Sequence, residues 1–194
     1  MNKEINNDKI ISLNEEVIHL FITNDCDHKC PLCCNKQYNI NKDIPVVTVE
    51  ELQKANTICI TGGEPFLKHS ACLILPGSIK RQYPNIQNIY VYTSGHALAN
   101  YLLGGFGDLL CIDGLNISPK NDTDIKCLDM ILNRYYVPFT SFKSNRIYVY
   151  PEYKEAIEEV LNKYRIFNTE IIYREWQEEF KPNGDIFRRL PILY

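Results

Sequence analysis

No window of the sequence approaches the roughly 18 consecutive apolar residues that a membrane span needs. The opening stretch, MNKEINNDKIISLNEEV, is polar and acidic and lacks the continuous apolar core of a secretory leader. The expectation is a cytoplasmic protein with no membrane partner. Positive charge is not in excess either. The formal net charge is -3 and the pI is near 5.8, which argues against a general nucleic-acid binder, normally basic over its binding face. Internal repeats, low-complexity tracts and linkers are also missing. What remains is globular in composition, 45% hydrophobic and 23% charged over 194 residues, and suits one domain, 1–194, with its own core. Such a core needs no disulfide staples. Eight cysteines in a chain of this kind point to a reducing compartment and to metal binding.

The chain alternates between short apolar runs and helical patterns. EVIHLFIT (16–23), NTICITGG (56–63), QNIYVYTSG (87–95), DLLCIDGLNIS (108–118), NRIYVY (145–150) and TEIIY (169–173) read as strands. Between them, VTVEELQKA (47–55) has helical character. SACLILPGSIKRQY (70–83) reads as a helix interrupted at Pro76-Gly77, and HALANYLL as a short one stopped by Gly104-Gly105. DTDIKCLDMILNRY (122–135) spaces Ile125, Leu128, Ile131 and Leu132 helically behind Asp122 or Thr123 as N-cap, and YKEAIEEVLNKY (153–164) is amphipathic. Strands alternating with helices mean parallel β/α units. Six units fall short of an eight-fold barrel and predict an α/β fold with an open, partial (β/α)6 barrel. Ligands of such folds gather at the carboxyl ends of the strands. The cysteine loop, TGGEP, TSG and SPK all fall there.

The segment NDCDHKCPLCCNK (24–36) carries four cysteines: Cys26, Cys30, Cys33 and Cys34. The other four, Cys59, Cys72, Cys111 and Cys127, lie in apolar stretches and read as small buried hydrophobes. A structural zinc site pairs two separated CxxC or CxxH elements, and no second element is present. A thioredoxin-like pair accounts for Cys30 and Cys33 but leaves Cys26 unexplained. Three cysteines spaced CxxxCxxC on one loop can reach three corners of an iron–sulfur cube. An electron-transfer [4Fe–4S] cluster takes four thiolates, so three ligands leave one iron open to a substrate or cofactor. Adjacent residues rarely reach two corners of one cube, which counts against Cys34 as the fourth. His28, inside the loop, reads as a solvent-facing or cofactor-edge residue rather than a base.

The run Cys26-Asp27-His28-Lys29-Cys30-Pro31-Leu32-Cys33 resembles the CxxxCxφC signature of the radical S-adenosylmethionine (SAM) superfamily, with Leu32 where an aromatic residue is usual. Thr61-Gly62-Gly63-Glu64-Pro65 resembles the family's GGEP element and closes the second strand. The glycines would let backbone approach a ligand, and a carboxylate with exposed backbone groups could hold the methionyl ammonium. Thr93-Ser94-Gly95 and Ser118-Pro119-Lys120 occupy places where relatives put turns beside the cofactor. The resemblance carries motifs over about 17–120 and beyond that only the β/α rhythm. It implies a [4Fe–4S] cluster on Cys26, Cys30 and Cys33, and SAM held by Leu32, Gly62, Gly63, Glu64, Pro65, Ser94 and Ser118. It further implies an external electron donor such as flavodoxin or ferredoxin, reductive cleavage of SAM and hydrogen abstraction by a 5′-deoxyadenosyl radical.

The substrate is less legible. The compact chain, with no cysteine after Cys127, is unlike members with auxiliary clusters. It is weakly similar to 7-carboxy-7-deazaguanine synthases, through SPK, and to activases of glycyl-radical enzymes, through size. A small-molecule or nucleobase-like substrate is therefore expected. A protein or peptide substrate is the alternative, and a non-catalytic iron–sulfur or zinc protein is the reading of another class. Arg174, Glu175, Trp176, Arg188 and Arg189 are candidate substrate contacts. They read more simply as a solvated charged tail with Trp176 as a core anchor. NKQYNINKDIPVV (35–47) is either a lid or a connection.

Overall fold

The computed structural model describes residues 16–37, 39–103, 109, 111–176 and 185–194. Among these, seven strands form one sheet in the order β6-β5-β4-β3-β2-β1-β7: β1 (Val17–Thr23), β2 (Thr57–Gly62), β3 (Asn88–Thr93), β4 (Gly114–Ile117), β5 (Asn145–Val149), β6 (Thr169–Tyr173) and β7 (Ile186–Arg189). Every pairing is parallel. The helices are α1 (Ile40–Asp43), α2 (Val49–Lys54), α3 (His69–Gln82), α4 (His96–Leu102), α5 (Asp122–Arg134), α6 (Tyr136–Ser141) and α7 (Lys154–Asn162). The α/β class and its parallel strands match the sequence expectation. No helix among the described residues is long and apolar enough to cross a membrane.

The period-two alternation of each strand splits the sheet into two chemically different faces. Ile18, Leu20, Ile22, Ile58, Ile60, Ile89, Val91, Leu115, Ile117, Ile147 and Val149 join helix residues such as Leu98, Leu128, Leu132 and Ile157 in one aliphatic core. The intervening positions are aromatic and polar. His19 stacks on Phe187 with ring centroids 4.8 Å apart and lies 5.8 Å from Tyr92, which is 6.1 Å from Tyr148. The alternation is plainest in β3, whose Ile89, Val91 and Thr93 are buried while Asn88, Tyr90 and Tyr92 are only partly so.

Several local expectations change. Helix α3 continues through Pro76. The proline removes one backbone hydrogen bond, and the core contacts of Ala71 and Cys72 before it and Ile79 after it hold the helix together. The N-cap of α5 is Asn121, whose side chain accepts from the Asp124 N–H at 3.0 Å, rather than Asp122 or Thr123. Cys59 and Cys72 are buried as expected and Cys127 is partly so, but Cys111 is exposed. Gly104-Gly105, which were to stop α4, lie outside the described residues.

The largest addition is β7. Arg188 lies in this strand and pairs with Glu51 of α2, with Nη2 2.5 Å and Nε 2.7 Å from Oε1. Arg189 donates to the carbonyls of Ile44 and Asn41. These two half-buried arginines fasten an edge strand and do not form a solvated tail. The segment 35–47 is a packed connection rather than a lid. Ile40 and Ile44 join Phe21, Phe187 and Leu193 in a small second cluster, and Val47 N–H donates to the Arg189 carbonyl at 3.0 Å.

Buried Asn145 joins layers. Its Oδ1 accepts from Leu115 N–H at 3.0 Å, and its Nδ2 donates to the Phe139 carbonyl at 3.0 Å. Asn145→Ala removes both bonds and strands two buried backbone groups, so a loss of about 2–4 kcal/mol is expected. A fall in the urea midpoint with unchanged slope checks this, and a midpoint within error of wild type contradicts it.

Candidate metal centre

At its carboxyl end, β1 leads through Asn24 and Asp25 directly into Cys26. This stretch is tied backbone to backbone to the glycine turn that ends β2. Gly63 N–H donates to the Thr23 carbonyl at 2.8 Å, and Glu64 N–H to the Asp25 carbonyl at 2.7 Å. The approach needs glycine. A Cβ on Gly63 would lie 1.9 Å from the Asp25 oxygen, and one on Gly62, whose φ is +137°, 2.3 Å from the Thr23 oxygen. The other end of the loop returns to the same turn, where Asn35 Nδ2 donates to the Gly62 carbonyl. Lys36 closes the loop internally. Its N–H donates to the Cys33 carbonyl at 3.0 Å and its Nζ to the Cys30 carbonyl at 3.0 Å.

The thiols of Cys26, Cys30 and Cys33 are free, Cys26 exposed and the other two partly so. Burial pushes the Cys30 thiol up. The Lys120 cation pulls it down, while Cys33 and Cys26 act on it as further negative centres. The three sulfurs therefore share one electrostatic neighbourhood. His28 N–H points at Cys26 Sγ at 3.4 Å, a donor suited to a thiolate. The side chain of Cys34 lies outside the described residues.

Cys26, Asp27 and His28 also bring one ligand atom each within 4.8 Å of one another. That trio is a poor metal site because both imidazole nitrogens are engaged. His28 Nδ1 meets Asp27 Oδ1 at 2.7 Å, and Nε2 meets the two oxygens of buried Asp124 at 2.8 and 3.0 Å. The Asp124 carboxylate, followed by the Cys26 sulfur, pushes the His28 imidazole up to about 11 against the opposing effect of burial. With both ring nitrogens turned to carboxylates it has none to offer a metal, and of the two places the sequence allowed, solvent-facing or cofactor-edge, its largely buried side chain does not take the first. Burial works to raise Asp27, but His96 and His28 outweigh it and hold the carboxyl below its usual range. His96 Nδ1 meets Asp27 Oδ2 at 2.9 Å. Beside this network is a cavity of about 610 Å³ lined by Asp27, His28, His96, Asn121, Asp124 and Tyr153.

Glu64 is turned inward. Its Oε2 accepts from Ser94 N–H at 2.8 Å and from Ser94 Oγ at 3.1 Å, and its Oε1 accepts from Phe66 N–H at 3.2 Å. The carboxylate and Ser94 thus brace the β2 turn against the end of β3. Pro65 opens a 3-10 turn, Pro65–Leu67, leaving the backbone of Gly62–Glu64 to face the cysteine loop. Burial raises the Glu64 carboxyl, opposed by the hydrogen bonds from Ser94, Phe66 and Thr93. Leu32 is exposed in the turn between Cys30 and Cys33.

At the end of β4, Ser118 Oγ accepts from Lys120 Nζ at 2.7 Å. That ammonium lies 3.7 Å from the Tyr150 ring centroid and 4.8 Å from the Trp176 ring, with the two rings stacked at 4.2 Å. Trp176 is half-buried on Tyr150, Arg174 lies over Tyr148 at 4.4 Å, and Glu175 is exposed. A second cavity of about 320 Å³ lies at the ends of β5 and β6 and includes Tyr150, Lys154, Arg174 and Glu175.

The model of a protein family described as a 4Fe-4S single cluster domain matches residues 16–110, just under half of the chain. The match and the three grouped thiols indicate a 4Fe–4S cluster domain. No curated protein matches the chain. The matched span runs from β1 through α4 and includes the cysteine loop, the glycine turn and Ser94.

The structure therefore brings Cys26, Cys30, Cys33, Gly62, Gly63 and Glu64 into one locked unit, with Pro65 and Ser94 supporting it from behind. Ser118 reaches the unit through Lys120. Sequence reasoning missed His28–Asp124, and quoted Lys120 only as part of a tripeptide. An Asp in the first turn of a helix is ordinary, so its contact with His28, 96 positions away, had no local signal.

Gly63→Ala forces the loop off the turn, and the protein should lose most of its iron after anaerobic reconstitution while keeping its circular dichroism. Full iron content would contradict the interlock. For Glu64, a raised folded-state carboxyl means that its stabilising share is complete below the unfolded value, about 4.3. That share is lost as pH rises through the folded value. As pH rises from about 4.3, the unfolding free energy of wild type from urea titration should fall relative to that of Glu64→Gln, by at most about 1.4 kcal/mol per pH unit, and level off above the folded value. Parallel curves would refute this account of the carboxylate.

Proposed function

We propose that the protein is a radical SAM enzyme acting on a small-molecule or nucleobase-like substrate. The observation that carries this is the backbone interlock of residues 23–25 with 62–64. It sets the cysteine loop directly against the glycine turn that ends β2, the order and contact that the resemblance to CxxxCxφC and GGEP implies, with the missing side chains of Gly62 and Gly63 making room for the loop's own backbone. The donors fit a [4Fe–4S] cluster: three free thiols in one neighbourhood, a backbone N–H aimed at one sulfur, and an imidazole committed elsewhere. Cys26, Cys30 and Cys33 would hold it. Supplied with an electron by an external donor such as flavodoxin or ferredoxin, the bound group would reduce SAM to methionine and a 5′-deoxyadenosyl radical.

The chain's own residues bind, orient and shield. The carboxylate of Glu64 is spent on Ser94 and Phe66, and the Gly63 and Glu64 N–H groups and the Gly62 carbonyl on the cysteine loop, so this turn would meet the methionyl ammonium through the Gly63 carbonyl oxygen. Leu32 offers an exposed apolar side chain to the adenine. Ser118 and Lys120 present a hydroxyl and a cation to ribose or carboxylate oxygens.

Anaerobic reconstitution with iron and sulfide, reduction by dithionite and addition of SAM should yield 5′-deoxyadenosine by chromatography. Wild type and Cys34→Ala should both form it, with loss of about a hundredfold or more in Cys26→Ala, Cys30→Ala and Cys33→Ala. A complete cluster that forms no product, and whose paramagnetic resonance signal SAM leaves unmoved, would overturn the proposal.

A further inference from the structure

The least expected group near the cysteine loop is Asp124. It is wholly buried in the first turn of α5, yet it does not cap that helix, since Asn121 does so. A buried carboxylate costs several kcal/mol unless it is matched, and for folding alone an apolar residue would serve as well or better. Its partners are His28 Nε2, at 2.8 and 3.0 Å, and Lys120 N–H, which donates to Oδ2 at 2.8 Å. One partner lies midway between Cys26 and Cys30. The other positions the cation that sits on Ser118 and on the Tyr150 and Trp176 rings and whose field reaches Cys30.

The cysteine loop is thus suspended from two sides. Its ends hang on the Gly62–Glu64 turn. Its middle is pulled towards α4 and α5 by His28 on Asp124 and by Asp27 on His96. The first support brings the thiols together. Without the second, the span from Cys26 to Cys30 could swing about its ends while still offering three sulfurs.

We propose that Asp124, acting through His28, is a positioning residue that fixes the orientation of the cysteine loop relative to the β4–α5 loop, and thereby how a cluster on Cys26, Cys30 and Cys33 engages SAM, rather than whether the cluster assembles. This rests on the radical SAM reading for the identity of the ligand, but the clamp itself does not. The clamp is geometric: the Asp124 carboxylate oxygens lie 2.8 and 3.0 Å from His28 Nε2, and Asp27 Oδ1 lies 2.7 Å from Nδ1. The pair acts as one unit, so its two removals are not additive.

The test uses the full chain, reconstituted anaerobically, as wild type, Asp124→Asn, His28→Gln and the double variant. Iron and sulfide per chain and the thermal midpoint report assembly and folding. The reduced cluster's paramagnetic resonance, titrated with SAM, reports engagement. Near-normal iron in all three variants is expected, with the SAM concentration for half-maximal spectral change raised at least about tenfold in each single variant and no further in the double. Iron lost in step with engagement would make the pair an assembly element and overturn the proposal, as would wild-type SAM titrations in both single variants. Should SAM leave even the wild-type spectrum unmoved, the radical SAM reading fails, and the clamp is judged on the reduced cluster alone. Altered g-values and midpoint potential in both single variants then support it, and unchanged ones refute it.

Discussion

Two backbone hydrogen bonds, Gly63 N–H to Thr23 and Glu64 N–H to Asp25, organise the functional end of the protein. They extend the pairing of β1 with β2 past the register shift at Phe21/Thr23 and into the loops. Neither can form unless positions 62 and 63 lack side chains, because a Cβ would fall about 2 Å from a carbonyl oxygen. The glycines therefore act first on the protein itself, bringing the cysteine loop and the turn to a distance at which both can serve one ligand.

From that contact the rest follows in layers. The parallel sheet puts the loops of β1 to β4 at one end. Glu64, buried and bonded to Ser94, braces the turn from behind. His28, hydrogen-bonded through its two ring nitrogens to Asp27 and Asp124, braces the loop from the side. Lys120 brings a cation near Cys30, which favours the thiolate needed for iron ligation and the added electron of a reduced centre. The polar groups near the thiols, including the Gly63 and Glu64 N–H groups and the Gly62 carbonyl, are largely satisfied by one another, which leaves the sulfurs as the surface open to a metal.

Much of the fold was legible. The strands from β1 to β6 announce themselves by length and by branched and aromatic residues, and β1, β2, β3, β5 and β6 fall close to their expected places, whereas β4 is only Gly114–Ile117 of the expected 108–118. β7 does not announce itself, because FRR reads as charged. Its two arginines are neutralised by Glu51 and by backbone carbonyls contributed from far along the chain. The site divides the same way. Cys26, Cys30, Cys33 and the glycine turn carry their chemistry in their spacing. The inward turn of Glu64 depends on Ser94, 30 positions later, and the setting of His28 on Asp124, 96 positions later. Identity and spacing were visible, whereas the direction in which a polar side chain points is decided by tertiary partners that no short window contains.

The most direct test of the central claim, three protein ligands with one iron left to SAM, is Mössbauer spectroscopy of protein reconstituted with ⁵⁷Fe, with and without saturating SAM. One iron site of the four should separate from the others and shift its parameters when SAM is added. Four irons that stay equivalent and thiolate-bound in the presence of SAM would contradict the claim.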